Sequence, residues 1–123
     1  MNLQQLFEKF YILEDQNLFE AVTTTEADKQ LASLDLKYRK KIVTAIEMFC
    51  KVGTKYKNLN VLDETLYELK PEGVRAYFSY HPTKRKIIIV GFICLKKTQK
   101  APEQFIEQAH RNIDNYLKEE QNG

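Results

Sequence analysis

Cations placed for work on phosphate stand out between Leu66 and Pro102, in the run LYELKPEGVRAYFSYHPTKRKIIIVGFICLKKTQKAP. Arg75 interrupts the alternating stretch Val74-Arg75-Ala76-Tyr77-Phe78-Ser79-Tyr80, and Lys96, Lys97 and Lys100 follow the apolar run Ile87 to Leu95. A guanidinium stays charged and forks onto two phosphate oxygens, whereas an ammonium acts as a point charge. Tyr77, two residues from Arg75, shares its strand face and can stack on a base or hold a phosphate. Such a set suits a polyanion, with charge building on a phosphate met by fixed cations. Lys70, Lys84 and Arg85 stand at the turns around the arginine strand and extend the cationic set. Pattern alone also allows a plainer reading, in which Arg75 pairs with Glu68 across a hairpin, and that reading comes first.

These side chains need a sheet. Val74, Ala76, Phe78 and Tyr80 point one way and belong on a core; Arg75, Tyr77 and Ser79 point the other way, toward an open face. Further strands are expected at Leu18–Thr23, at about Thr65–Lys70 and at Ile87–Leu95. The last is apolar enough to be central and covered on both faces. Thr54 to Asn60 reads as a polar loop.

Helical spacing of apolar residues supplies the rest. Leu3, Leu6, Phe7 and Phe10 predict an amphipathic helix, an N-terminal extension over residues 1–15. Its apolar face covers either the domain's own core or a second copy of the chain in a homodimer. Thr25 with Asp28 resembles a capping box ahead of Ala27, Leu31 and Leu34. Asp35 is an N-cap candidate for a second helix, with the stripe Tyr38, Ile42, Ala45, Ile46 and Phe49 and a stop at Gly53. Pro102 opens a last helix with the stripe Ile106, Ala109, Ile113, Tyr116 and Leu117. The expectation is one α+β domain over residues 1–123, with a small, mainly antiparallel sheet packed against a helical hairpin and a C-terminal helix.

Composition narrows the chemistry. The net charge is +2, so cationic character lies in its distribution rather than its sum. Lys37, Arg39, Lys40 and Lys41 form one group and Lys51, Lys55 and Lys57 another. Cys50 and Cys94 lie far apart in apolar segments, which reads as two reduced, buried thiols. His81 and His110 have no neighbours at zinc spacing, so no metal site is expected. Glycine-rich phosphate loops, the G-x-S-x-G motif and paired carboxylates are missing, and no cofactor is expected. No apolar run is long enough to cross a bilayer and no secretory leader is visible, so a cytoplasmic protein without membrane contact is expected.

Tyr67-Glu68-Leu69-Lys70, Val74-Arg75-Ala76-Tyr77-Phe78 and Lys96-Lys97-Thr98-Gln99-Lys100-Ala101-Pro102, in this order, resemble the phage-derived branch of the RelE/HigB-like toxins. The likeness is strong from Leu66 to Pro102 and extends in element order from Leu18 to Leu117. It implies a RelE-like fold and the toxin role in a type II toxin–antitoxin system. Such toxins cut mRNA, usually on the ribosome, without metal, and a cognate antitoxin, here expected to be a helix-turn-helix protein, holds them inactive. Carried over by position, Arg75, Lys96 and Lys97 are the catalytic candidates and Lys70 stands where the family's first motif has an arginine; Lys70 joins Tyr77, Lys84, Arg85 and Lys100, singled out by their own chemistry, as the RNA-binding candidates. The family often has a histidine near the end of the last strand, where this chain has Phe92. The alternative reading is therefore a RelE-like protein, weak or inactive in catalysis, that keeps antitoxin or RNA binding.

Overall fold

The apolar run becomes a nine-residue strand, β5 (Ile87–Leu95), in which Ile88, Ile89 and Val90 are wholly buried. The computed structural model describes residues 17–123; the helix expected over Leu3 to Phe10 lies outside them. The other strands are β1 (Glu20–Thr23), β2 (Leu59–Val61), β3 (Tyr67–Leu69) and β4 (Val74–Tyr80). Their sheet order is β1-β5-β4-β3-β2. β1 runs parallel to β5 and the other pairs are antiparallel. Three α-helices, α1 (Thr25–Ser33), α2 (Leu36–Val52) and α3 (Glu103–Asn122), and a 3-10 turn at Gly53–Lys55 complete the described fold.

The helices take opposite faces of the sheet. The hairpin α1–α2 buries Ala27, Ile42, Ala45 and Phe49 with Val74, Ala76, Phe78, Ile88 and Val90. Beneath α3, Ala109 and Ile113 meet Tyr77, Ile89 and Phe92. A strand covered on both faces has no polar side to show, which is why β5 reads as continuous apolar sequence. The expected α+β architecture and hairpin are present.

Two local expectations change. Residues Leu59 and Asn60, assigned to a loop, pair with Leu69 and Glu68 as part of β2. This edge strand is too short to show a period. The N-cap of α1 is Thr24, one residue earlier than expected: its hydroxyl accepts from the Ala27 amide at 3.1 Å. Gly53, with φ of 61°, ends α2 as expected and takes a backbone conformation open mainly to glycine.

The ladder between β4 and β5 slips once. Tyr77 lies opposite Phe92 but Phe78 lies opposite Val90, which leaves Gly91 without a partner. An added residue reverses which face each later side chain takes. Val90 and Ile93 therefore both face the hairpin, while Ile89 and Phe92 face α3. The Gly91 carbonyl accepts from Asn112 Nδ2 at 2.8 Å, and Asn112 Oδ1 accepts from Gln108 Nε2 at 2.7 Å. A Cβ on Gly91 would sit 2.6 Å from Ile113 Cγ1 and 3.0 Å from the Ala109 carbonyl. Beyond Val90, β1 no longer reaches, and Gln30 Oε1 on α1 takes the Ile93 amide at 2.8 Å.

Asn112→Ala leaves the buried Gly91 carbonyl with only the long contact from Thr24 Oγ1 at 3.5 Å and should cost ~1–3 kcal/mol. Gly91→Ala forces α3 outward and should cost a similar ~1–3 kcal/mol. Urea unfolding checks both: the midpoint should fall while the slope stays unchanged.

Candidate nucleic-acid interface

Arg75 occupies the start of β4, opposite Cys94 near the end of β5. Its Nη1 donates to the carbonyls of Pro71 at 2.7 Å and Val74 at 2.8 Å. Its Nε lies 3.8 Å from Glu68 Oε2, with side-chain exposures of 14% for Arg75 and 7% for Glu68. Glu68 Oε1 accepts from Asn60 Nδ2 on β2 at 3.2 Å. The cross-strand pair that the alternation allowed is therefore made, and the guanidinium also closes the β3–β4 turn. Among the described residues Nη2 has no hydrogen-bond partner.

The face carrying Arg75 and Tyr77 is not open. Tyr77 is 1% exposed, lies beneath α3 and packs on Phe92 with ring centroids 5.6 Å apart. The alternation of β4 was assigned correctly, but the stripe of α3 needed an apolar surface and this face supplied it. Tyr77 is consequently unavailable for stacking on a base. Burial, then the neighbouring Cys94 and Glu68, push its hydroxyl well above the ordinary tyrosine range. Burial, with Glu68 adding to it, lifts the Cys94 thiol to about 11.

The lysines divide between the two ends of the sheet. Lys96 donates its backbone amide to the Gly73 carbonyl at 2.9 Å, which ties the lysine run to the turn that Arg75 closes. Lys70 follows β3 beside the same turn, its amide on the Asn58 carbonyl at 2.8 Å. Lys96, Lys97 and Lys100 are exposed in the loop that leads to α3. Arg75, Lys70, Lys96 and Lys97 thus gather at one end, with Lys100 in the adjoining loop. Lys84 and Arg85 do not join them. They sit in the β4–β5 turn, a strand length away, or about 20 Å at ~3.3 Å per residue.

Both histidines hold α3 in place. His81 Nδ1 accepts from the amides of Thr83 at 3.1 Å and Lys84 at 3.0 Å, so the ring proton on Nε2 is given to Glu120 Oε1 at 2.7 Å. Lys84 Nζ reaches Glu120 Oε2 at 3.0 Å. His110 contacts Asp63 Oδ2 at 2.7 Å, while Asp63 Oδ1 accepts from the amides of Thr65 and Leu66. Burial opposes ionisation of Asp63, but these hydrogen bonds outweigh it and hold the carboxyl below its usual range. The sequence pattern gave neither partnership. Phe92, where the resemblance leads one to expect a histidine, is buried between Tyr77 and Phe105.

Among the described residues no group of three or more His, Cys, Asp or Glu could hold a metal ion, and no helix is long and apolar enough to cross a membrane. The family model described as "Phage derived protein Gp49-like" matches residues 29–114, more than two thirds of the chain. The chain belongs to the phage-derived Gp49-like family. No curated protein matches it. Among solved structures, this Gp49-like chain is similar to one in the toxin–antitoxin complex RelBE2 from Mycobacterium tuberculosis. The TM-score is 0.54 at 11% identity, covering 63% of this chain and 98% of that one. At that identity the likeness is one of fold, and the fold is RelE-like.

The thiols and the α3 clasp give direct tests. With its pKa raised from 9.0 to about 11, Cys94 should hold about a hundredfold less thiolate at pH 8 than an unperturbed thiol. Reaction with a disulfide reagent should be slow in the native Gp49-like protein and fast in urea. Hydrogen bonds from His81 and Lys84 lower the Glu120 carboxyl. A group lowered in the folded state stabilises above its unfolded pKa and loses that contribution as pH falls through its folded pKa. Glu120→Gln should therefore lower the melting temperature at neutral pH, and the gap to wild type should close on acidification through the carboxylate range.

Proposed function

We propose that this Gp49-like protein is the toxin of a type II toxin–antitoxin pair and cuts mRNA on the ribosome, in the cytoplasm, without a metal ion. The observation that carries the reading is the gathering of Arg75, Lys70, Lys96 and Lys97 at one end of a RelE-like sheet. The reaction is attack of a ribose 2′-hydroxyl on its adjacent phosphate, which forms a cyclic phosphate and releases a 5′-hydroxyl. Negative charge builds on the phosphate oxygens in that step, and fixed cations stabilise it more than they stabilise the ground state. Arg75, held by the turn through Nη1, would be the fixed cation, and Lys96 and Lys97 point charges near it.

Phe92 favours a second reading. A buried aromatic ring stands where related toxins often have a histidine, so proton transfer would lack that group. In this reading the chain binds RNA or an antitoxin and turns over slowly or not at all.

Arg75→Ala should reduce cleavage about a hundredfold, or ~3 kcal/mol in the transition state. Lys96→Ala and Lys97→Ala should each cost less. Primer extension on mRNA from induced cells reads the cleavage, with an EDTA-treated lysate as control. Arg75 also holds the β3–β4 turn, so melting temperatures are recorded alongside, and Arg75→Lys restores charge without the fork. Cleavage that survives Arg75→Ala, or stops with EDTA, rules out this mechanism. Uncut mRNA with a stable wild-type protein selects the second reading.

A further inference from the structure

One flank of α2, where it meets the turn after Gly53 and the β3–β4 turn, carries a groove of about 380 Å³. Its helix wall is formed by Thr44, Ala45 and Met48, and its opposite wall by Tyr56 and Pro71. Met48 is 43% exposed there, a large apolar side chain with its thioether in water. A second depression of about 320 Å³ shares Lys40 and Thr44 with the first and continues along the helix past Val43.

The banks are cationic. Lys40 and Lys41 line the groove on the helix side and Lys37 stands one turn before. On the other side Lys55 and Lys57 flank Tyr56 in sequence, and Lys70 precedes Pro71. Against these stand Glu72, 3.8 Å from Lys41, and Glu47 at the far depression. The groove lies on the hairpin side of the sheet and meets the cluster around Arg75 and Lys96 only at the β3–β4 turn, where its wall residue Pro71 accepts from Arg75 Nη1 and Lys41 reaches Glu72.

Resting on the toxin reading, we propose that this groove is the docking site of the antitoxin, entered by an acidic amphipathic helix. Its apolar stripe seats on Met48, Tyr56 and Pro71, and carboxylates flanking that stripe meet the lysine banks. The floor decides against RNA as occupant. Single-stranded RNA seats successive bases on aromatic platforms, and this floor offers one ring, Tyr56, among aliphatic groups and a thioether. Methionine on an exposed apolar surface adapts to a partner's side chains.

The test uses the full chain co-expressed with the product of the adjoining reading frame. Two variants are compared with wild type: Met48→Lys, and Lys37→Glu with Lys40→Glu. All three positions are exposed, and none belongs to the proposed cleavage site. Expressed alone, each variant should arrest growth and cut mRNA like wild type. Met48→Lys should weaken the complex at least tenfold at every salt concentration and escape rescue by the partner. The charge-reversed variant should lose most affinity at low salt, and its difference from wild type should shrink as NaCl is added. Both variants bound and rescued like wild type would overturn the docking site while leaving the toxin reading intact. Loss of mRNA cleavage by the variants alone would give the groove to RNA instead and equally overturn it. A wild-type chain that binds nothing and leaves growth untouched would sink the toxin reading and this proposal with it.

Discussion

Gly91 adds to β5 one residue that β4 does not match, and the arrangement of the second half of the sheet follows from it. With an unbroken ladder, Val90, Phe92 and Cys94 would share one face. The extra residue turns Phe92 and Cys94 toward α3 and gives Ile93 to the hairpin. At the slip the Gly91 carbonyl accepts from two side chains, Asn112 at 2.8 Å and, more weakly, Thr24 at 3.5 Å. A residue larger than glycine would hold α3 off the strand. One position thus fixes strand parity, the approach of α3 and the point from which the lysine loop departs.

α3 is held by polar contacts set along its length as well as by its apolar stripe. Asn112 binds the bulge, His110 binds Asp63 before β3, and Glu120 binds His81 after β4. Three different loops or strands are therefore stitched to one helix. Each contact is directional, where apolar burial is not, so together they choose one seating of the helix on its apolar bed. Arg75 does a similar task on the β3–β4 turn, through two carbonyls and Glu68.

Much of this was legible in the residues. The period of two in Val74–Tyr80, the apolar length of Ile87–Leu95 and the helical stripes of the hairpin and the last helix gave elements that the structure contains. The environment of Tyr77 is set by two adjacent strands together and cannot be read from β4 alone. A β5 covered on both faces implies cover on both faces of the neighbouring β4, yet one side of β4 was left open to solvent. Gly91 in mid-strand was itself a signal for a bulge. β2 was beyond reach because three residues on an edge show no period. The partners of His81 and His110 come from segments remote in sequence, and spacing carries no trace of them. The division of the lysines between two ends of the sheet followed only once strand directions were known.

The parallel pairing of β1 with β5 has a consequence for the order in which the molecule forms. Glu20 pairs with Ile87, so the first described strand waits for most of the chain before it has a neighbour. Until β5 leaves the ribosome, the hairpin has only part of a surface to pack on, and loops this long make non-local contacts slow to form. At about 5–20 residues per second of synthesis, several seconds pass between the emergence of β1 and that of its partner. The cationic end of the sheet is assembled from β3, β4 and the exit of β5, with α3 still to come. The nascent protein is therefore without its candidate site until the segment through Lys97 has been made.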